Sequence, residues 1–257
     1  MPFFRARTSN KFQDFSPEEM LALPKKLRGK TGSYRFSIPG LPCLYLSNSS
    51  YGCWLEMGRP SEHDFNVSPV LIDDQLKLLN LSLMTDSLSQ LKDSDHDWYK
   101  LFTLKIATSY VIKEENRTFK SEYIVSQLIM LSCKKLGLDG VAYYSKRVSD
   151  EAFARCAINL ALFAPYDKGE YSSLYEKIKI NSSYNYSLFK QLCFSSKNVP
   201  NGVSVQFVSS DPPISIGDYK HQYSYSETSF HEFDEYLLKC WEERKIASSF
   251  LKKVNEI

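Results

Sequence analysis

Pro39-Gly40 separates two short runs of alternating polarity, and no other feature of the chain limits its folding so tightly. Proline fixes one backbone angle and glycine accepts a positive φ, so the pair marks a reversal. Before it, Phe36 and Ile38 share one side of an extended chain while Arg35 and Ser37 share the other. After it, Leu44 and Leu46 share a side and Cys43 and Tyr45 the opposite one. The pattern predicts a hairpin that sends Phe36, Ile38, Leu44 and Leu46 to the core and holds Arg35 and Tyr45 together on the other face. Ser47-Asn48-Ser49-Ser50 then offers a helix N-cap. A helix from about Tyr51 stacks Tyr51 on Leu55 and places Glu56 one position round the axis. An Arg, a Tyr and a Glu on three successive elements can build a small cleft for an anionic ligand. An ordinary hairpin with solvated side chains is the alternative that the pattern alone leaves open.

The 257 residues suffice for one large domain, or for a domain of about 165 residues with an appendage. Hydrophobic residues at 43% and aromatics at 14% can fill a core, which argues against global disorder. The 32 basic and 30 acidic residues are closely mixed, with no polybasic block, so neither nucleic acid nor an anionic membrane is the expected partner. Six cysteines (Cys43, Cys53, Cys133, Cys156, Cys193, Cys240) show no Cys-x-x-Cys spacing. They form no metal-ligand pattern with His63, His96, His221 and His231, so no metal is expected. Cys133 and Cys156 lie in apolar segments, where a free thiol behaves as a small hydrophobe. No apolar run follows Arg5 and Arg7, unlike a signal peptide, and nothing approaches the roughly 20 apolar residues of a membrane helix. A reduced, cytoplasmic protein is the expectation.

Pro2–Arg7 reads as a strand, and Ser16-Pro17-Glu18-Glu19-Met20 as a capped helix start with acids in its first turn. Val70–Asp73 and Leu78–Leu83 are strand-like, the second because Leu79, Leu81 and Leu83 alternate with Asn80 and Ser82. Leu101–Ile112 fits helix or strand. Ser121–Gly137 reads as a helix with Ile124, Leu128 and Leu131 on its apolar face and Gly137 as its stop. Gly140–Ser145 and Ile158–Phe163 are candidate buried strands. Beyond Pro165 the chain turns to Ser, Tyr, Asn and Lys, with weak alternation over Val203–Val208. Phe230–Ile257 closes it as an amphipathic helix carrying Phe233, Leu237, Trp241 and Leu251. No chemistry is legible in residues 166–257.

These motifs together resemble the RES-domain family, named for an Arg, a Glu and a Ser. The carrying residues are Arg5 in Phe4-Arg5-Ala6-Arg7, then Arg35, Tyr45 and Glu56 around the Pro-Gly turn. Ser145 in Gly140-Val141-Ala142-Tyr143-Tyr144-Ser145 and Asn159 in Asn159-Leu160-Ala161-Leu162-Phe163 complete the pattern. Arg7 competes with Arg5, and Ser126 with Ser145, for the family positions. The resemblance covers residues 3–165; residues 57–120 and those past 165 lie outside the matched motifs.

The resemblance implies an α+β fold with an ADP-ribosyltransferase-like split central sheet and flanking helices in residues 1–165, with 166–257 as a C-terminal extension packed on it. It implies an NAD-degrading toxin of a toxin–antitoxin or defence system that cleaves the nicotinamide–ribose bond by phosphorolysis or hydrolysis. ADP-ribosyl transfer to a macromolecule, or a non-catalytic binding module of the same fold, are the alternatives. NAD is then a substrate rather than a resident cofactor, with inorganic phosphate as co-substrate. Glu56 would stabilise the oxocarbenium-like ribose, since a carboxylate beside it meets the developing positive charge. Tyr45 would lie against the nicotinamide ring, and Arg35 and Arg5 would hold the pyrophosphate or an attacking phosphate with planar paired donors. Ser145 and Asn159 would orient ribose or amide groups. A helix-turn-helix antitoxin and a homodimer are the implied partners.

Overall fold

The computed structural model describes residues 2–9, 14–82, 96–112, 114, 117, 119–148, 155–194, 213–215 and 222–254. Along the chain it forms β1 (Phe3–Thr8), α1 (Pro17–Met20), β2 (Cys43–Ser47), α2 (Ser50–Glu56), β3 (Phe65–Ile72) and β4 (Leu78–Asn80). There follow α3 (His96–Ala107), α4 (Ile124–Lys135), β5 (Gly140–Tyr144), β6 (Ile158–Phe163), β7 (Ile178–Ile180), β8 (Tyr184–Asn185) and α5 (Tyr186–Phe194). A two-stranded ribbon, β9 (Pro213–Ser215) with β10 (Gln222–Ser224), precedes α6 (Ser229–Val254). The fold is a mixture of helices and mainly antiparallel sheet. Two compact units share the chain: Met1–Met20, Asn48–Leu71 and Ile180–Ile257 in one, Leu21–Ser47 and Ile72–Lys179 in the other.

In the first unit β3 pairs antiparallel with β1 along its length, Phe3 opposite Val70 and Thr8 opposite Phe65, and with β8 at Asn66 and Val67. Strand alternation sorts the side chains by face. Phe4, Ala6, Phe65 and Val67 join Cys53 of α2, Tyr186 and Phe189 of α5, and Phe233 and Leu237 of α6 in one buried cluster. Arg5, Arg7, Ser68 and Asn66 belong to the opposite face by the same register. Ser16 and Glu19 cap α1 reciprocally, the Ser16 amide donating to Glu19 Oε2 at 2.8 Å and the Glu19 amide to Ser16 Oγ at 3.3 Å, as its sequence predicts. The closing helix is also where the sequence puts it, with Phe233 and Leu237 fully buried; the side chain of Leu251 lies outside the described residues.

In the second unit the strands run in the order β4-β5-β6-β2, with β4–β5 parallel and the other pairs antiparallel. Gly140 opens β5 where β6 comes so close that a Cβ would stand 2.5 Å from the Ala161 carbonyl oxygen. Leu79 and Leu81 take their places at β4, while Leu83 and the alternation over 203–208 lie outside the described residues. The ambiguous segment from Leu101 is helical as far as Ala107.

Two expectations are overturned. Residues 34–38 form no first hairpin strand. The Leu41 amide bonds the Ile38 carbonyl at 3.0 Å across Pro39-Gly40, with Gly40 at φ +83°, and a second turn closes between Tyr34 and Ser37. Two consecutive turns leave no extended run to pair with β2. Phe36 therefore folds back onto the Cys43 side of β2, where the Cys43 thiol meets the Phe36 carbonyl at 3.0 Å. The second correction concerns α4, whose inner face is Ser126, Ile129, Met130 and Cys133. Ile124, Leu128 and Leu131 face outward, Leu128 with 56% of its surface exposed. The inner residues pack on Cys43, Val141, Tyr143, Ala161 and Phe163.

Candidate functional site

Arg35 stands at the centre of the Tyr34–Ser37 turn, which hydrogen bonds from Gln127 and Tyr45 fix in place. The Gln127 side-chain amide donates to Ser33 Oγ at 3.0 Å, to the Tyr34 carbonyl at 3.2 Å and to the Ser37 carbonyl at 3.3 Å. From below, the Tyr45 hydroxyl accepts from the Phe36 amide at 3.2 Å and lies 3.1 Å from Ser37 Oγ. Arg35 itself reaches the carbonyls of Thr108 (2.6 Å) and Tyr110 (3.1 Å) just past α3, both through Nη1. Its guanidinium carbon sits 5.2 Å from the centre of the Tyr123 ring. A cation suits the carbonyl end of a helix, and stacking on an aromatic face holds the guanidinium plane. Nε and Nη2 take no partner among the described residues.

With no strand over residues 34–38, Arg35 and Tyr45 have no hairpin face to share; the Tyr45 ring packs against the core cluster with Phe36 and Cys43, and the Tyr34 ring lies edge-to-face with it at 6.1 Å. Burial, then the neighbouring Cys43 and Tyr143, pushes the Tyr45 hydroxyl well above the ordinary phenol value of 10. It stays neutral at physiological pH, so its chemistry is confined to its ring and to the hydrogen bonds named. Ser47, opposite Asn159, lies on the same face of β2, and Tyr143 of β5 is also opposite Asn159. The structure thus brings Tyr45 and the buried Asn159 to neighbouring positions on one sheet face. Ser145 follows two residues beyond Tyr143, buried, its amide bonded to the Ala157 carbonyl at 2.9 Å and its Oγ accepting from the Arg147 amide at 3.2 Å. Its rival Ser126 is fully buried on the inner face of α4, and its hydroxyl has no hydrogen-bond partner among the described residues.

Arg5 and Glu56 belong to the first unit. Arg5 Nε donates to the Met20 carbonyl at 3.3 Å, tying β1 to the end of α1. Arg7, on the same strand face, has its guanidinium carbon 6.0 Å from the centre of the Phe15 ring. Glu56 is the last residue of α2 and half-buried. The helix is capped as expected, Ser49 Oγ accepting from the Gly52 amide at 2.9 Å.

Two contributors escape the sequence reading. Gln127 anchors the Arg35 turn, and its signal was a polar pair, Ser126-Gln127, inside an apolar helical run. Asp234 lies buried on α6, its carboxylate accepting from the Ser50 amide at 3.0 Å and from the Tyr225 hydroxyl. An acid directly after Phe233 on the core-facing stripe was the sign.

Residues 3–175 match the family described as RES domain. The chain belongs to the RES-domain family. This RES protein is 29% identical over 222 residues to the Bacillus subtilis (strain 168) protein named "Putative toxin YopC". The match covers 77% of this chain and 49% of that protein, so the chain spans about half the length of its curated relative. It is also similar to a chain in the crystal structure of the M. tuberculosis MbcT–MbcA toxin–antitoxin complex, at a TM-score of 0.41 and 12% identity over 74% of this chain and 87% of that one. Among the described residues no helix is long and apolar enough to cross a membrane.

Proposed function

We propose that the protein cleaves the nicotinamide–ribose bond of NAD and acts as the toxin of a toxin–antitoxin pair. The observation that carries this reading is the family match over residues 3–175, a span that contains Arg35, Tyr45 and Glu56, whose roles follow from the resemblance of their motifs to an NAD-degrading family. The C1′–nitrogen bond breaks with its electron pair going to nicotinamide, which leaves as the neutral base. An oxygen of phosphate, or of water with loss of a proton, then bonds C1′. Glu56 stabilises the oxocarbenium-like ribose between the two events. Arg35, with Nε and Nη2 uncommitted, has donors for a phosphate group, and Arg5 or Arg7 adds a second guanidinium. Tyr45 contributes a ring face rather than a proton, because its hydroxyl is already engaged and held neutral. Ser145 or Ser126, with Asn159, orients the ribose or the amide. In this reading residues 1–165 form an ADP-ribosyltransferase-like catalytic part, 166–257 an extension packed on it, and the antitoxin is a helix-turn-helix protein.

The test is nicotinamide release from NAD by the purified protein, with and without inorganic phosphate, beside a Glu56→Gln variant. Phosphate-dependent release that falls about 100-fold or more in the variant identifies an NAD phosphorylase, a loss typical of removing one transition-state stabiliser. Release without phosphate identifies a glycohydrolase. No release under either condition overturns the reading in favour of ADP-ribosyl transfer to a separate acceptor or of a binding protein.

A further inference from the structure

We infer that Asp234, on α6 and beyond the family-matched residues, is a positioning residue that anchors α2 and thereby sets the place of Glu56. The part concerning Glu56 rests on the catalytic role proposed for it above. With seven residues, α2 is far shorter than a helix that holds itself together in water, so tertiary contacts decide where it lies. Its first-turn amides are shared between two carriers. Ser49 Oγ takes the Gly52 amide, and the Asp234 carboxylate takes the Ser50 amide, Oδ1 at 3.0 Å and Oδ2 at 3.4 Å. The same carboxylate accepts from the Tyr225 hydroxyl, and Ser50 Oγ donates to the Phe230 carbonyl at 3.3 Å.

Aromatic rings close over this junction. Phe230 meets Tyr51 at 5.4 Å and Trp54 at 5.5 Å, so the start of α6 grips α2 at both its first and its second turn. On the other side the Cys53 thiol meets the Phe4 carbonyl of β1 at 3.3 Å. The carboxylate is buried, and the Ser50 amide and Tyr225 hydroxyl that donate to it offset part of the cost of taking an acid out of water, so the group is held at this junction by its partners. What α2 presents at its far end, about 10 Å along at 1.5 Å per residue, is Glu56. A displacement of about 1 Å at a reacting group can lower turnover about 100-fold. A loosened α2 therefore costs rate at saturating NAD rather than NAD affinity.

The test uses full-length Asp234→Ala and Asp234→Asn. Asparagine keeps an acceptor for the Ser50 amide; alanine keeps none. Hydrogen exchange of the α2 amides and NAD turnover are measured on both, with Glu56→Gln in parallel. The expected result for Asp234→Ala is exchange faster by about 10-fold or more confined to 50–56 and its α6 contacts. With it, kcat falls about 10- to 100-fold while KM for NAD moves less than about threefold, and Asp234→Asn recovers most of the rate. Unchanged exchange across α2 overturns the inference whatever the activity does. So does looser α2 with full turnover, provided Glu56→Gln is inactive. If the wild-type protein leaves NAD intact, or Glu56→Gln is fully active, the proposed reaction or the role of Glu56 falls instead, and with it the second half of the inference. The exchange data then decide the anchoring alone.

Discussion

Single residues here are constrained by what stands one bond away. At Gly140 an added methyl carbon would sit 2.5 Å from the Ala161 carbonyl oxygen and 3.0 Å from Leu162 Cδ2, and the first of these is backbone that cannot swing aside. Gly140→Ala is expected to destabilise the fold by about 1–3 kcal/mol, the usual cost of forcing extra volume into a packed site. A urea midpoint equal to that of the wild type would show that β5 and β6 can part at this point. Asp234 gives a second prediction. Burial raises its carboxyl from 3.8 to about 7, so the folded state keeps a proton that the unfolded chain gives up on the way from pH 4 to pH 7. The contribution to stability is complete below about pH 4 and is lost as pH rises through 7, at up to about 1.4 kcal/mol per pH unit. Tyr186, its aromatic neighbour, is pushed up to about 12 by burial and does not titrate in this window. Unfolding free energy measured between pH 4.5 and 7.5 should fall with a slope that Asp234→Asn removes; parallel slopes in the two proteins would refute the assignment.

Elements were legible where their period was unambiguous. The strand at Phe3, the capped turns at Ser16 and Ser49, β5, β6 and the closing helix all stand where alternation and caps put them. The misplaced element is the first arm of the hairpin. Its five residues alternate like a strand, but two turns in tandem satisfy the same backbone groups locally. The period of α4 identifies a helix but not the face that it buries. Ile124, Leu128 and Leu131 make one apolar stripe and Ile129, Met130 and Cys133 an adjacent one. Nothing in a 3.6-residue repeat says which of two neighbouring stripes turns inward. The choice follows from Gln127, which reaches the Tyr34–Ser37 turn, and from the fit of Met130 and Cys133 over β2, β5 and β6. The site is affected in the same way, since alternation puts Arg35 and Tyr45 on a common face of a hairpin whose first strand does not form. Ile129→Ala, at 8% exposure, is expected to cost about 2–4 kcal/mol, and Leu128→Ala less than about 1 kcal/mol. Thermal unfolding of the pair decides it, and the reverse order would restore the face that the sequence suggests.

At the scale of the whole molecule, family and packing draw different boundaries. The RES match ends at residue 175, yet the core of the first unit is built from both sides of that line. Phe4, Ala6, Phe65 and Val67 come from within it, and Tyr186, Phe189, Phe233 and Leu237 from beyond it. Each of those four later side chains contributes about 1.5–3 kcal/mol when taken out of water, so together they approach the 5–15 kcal/mol by which a whole domain is stable. The sequence hid this because the later segment is sparse in apolar residues, and each of the four is useful only against a face supplied by β1 and β3. A chain ended at residue 179 would leave that face open to water and α2 without its anchor on α6. It is expected to show no cooperative thermal transition and to bind a dye specific for exposed apolar surface, although it retains all of the family-matched sequence. A truncated chain that melted cooperatively within a few degrees of the full-length protein would mean that β1 and β3 find other cover, and that the later segment serves something other than the fold.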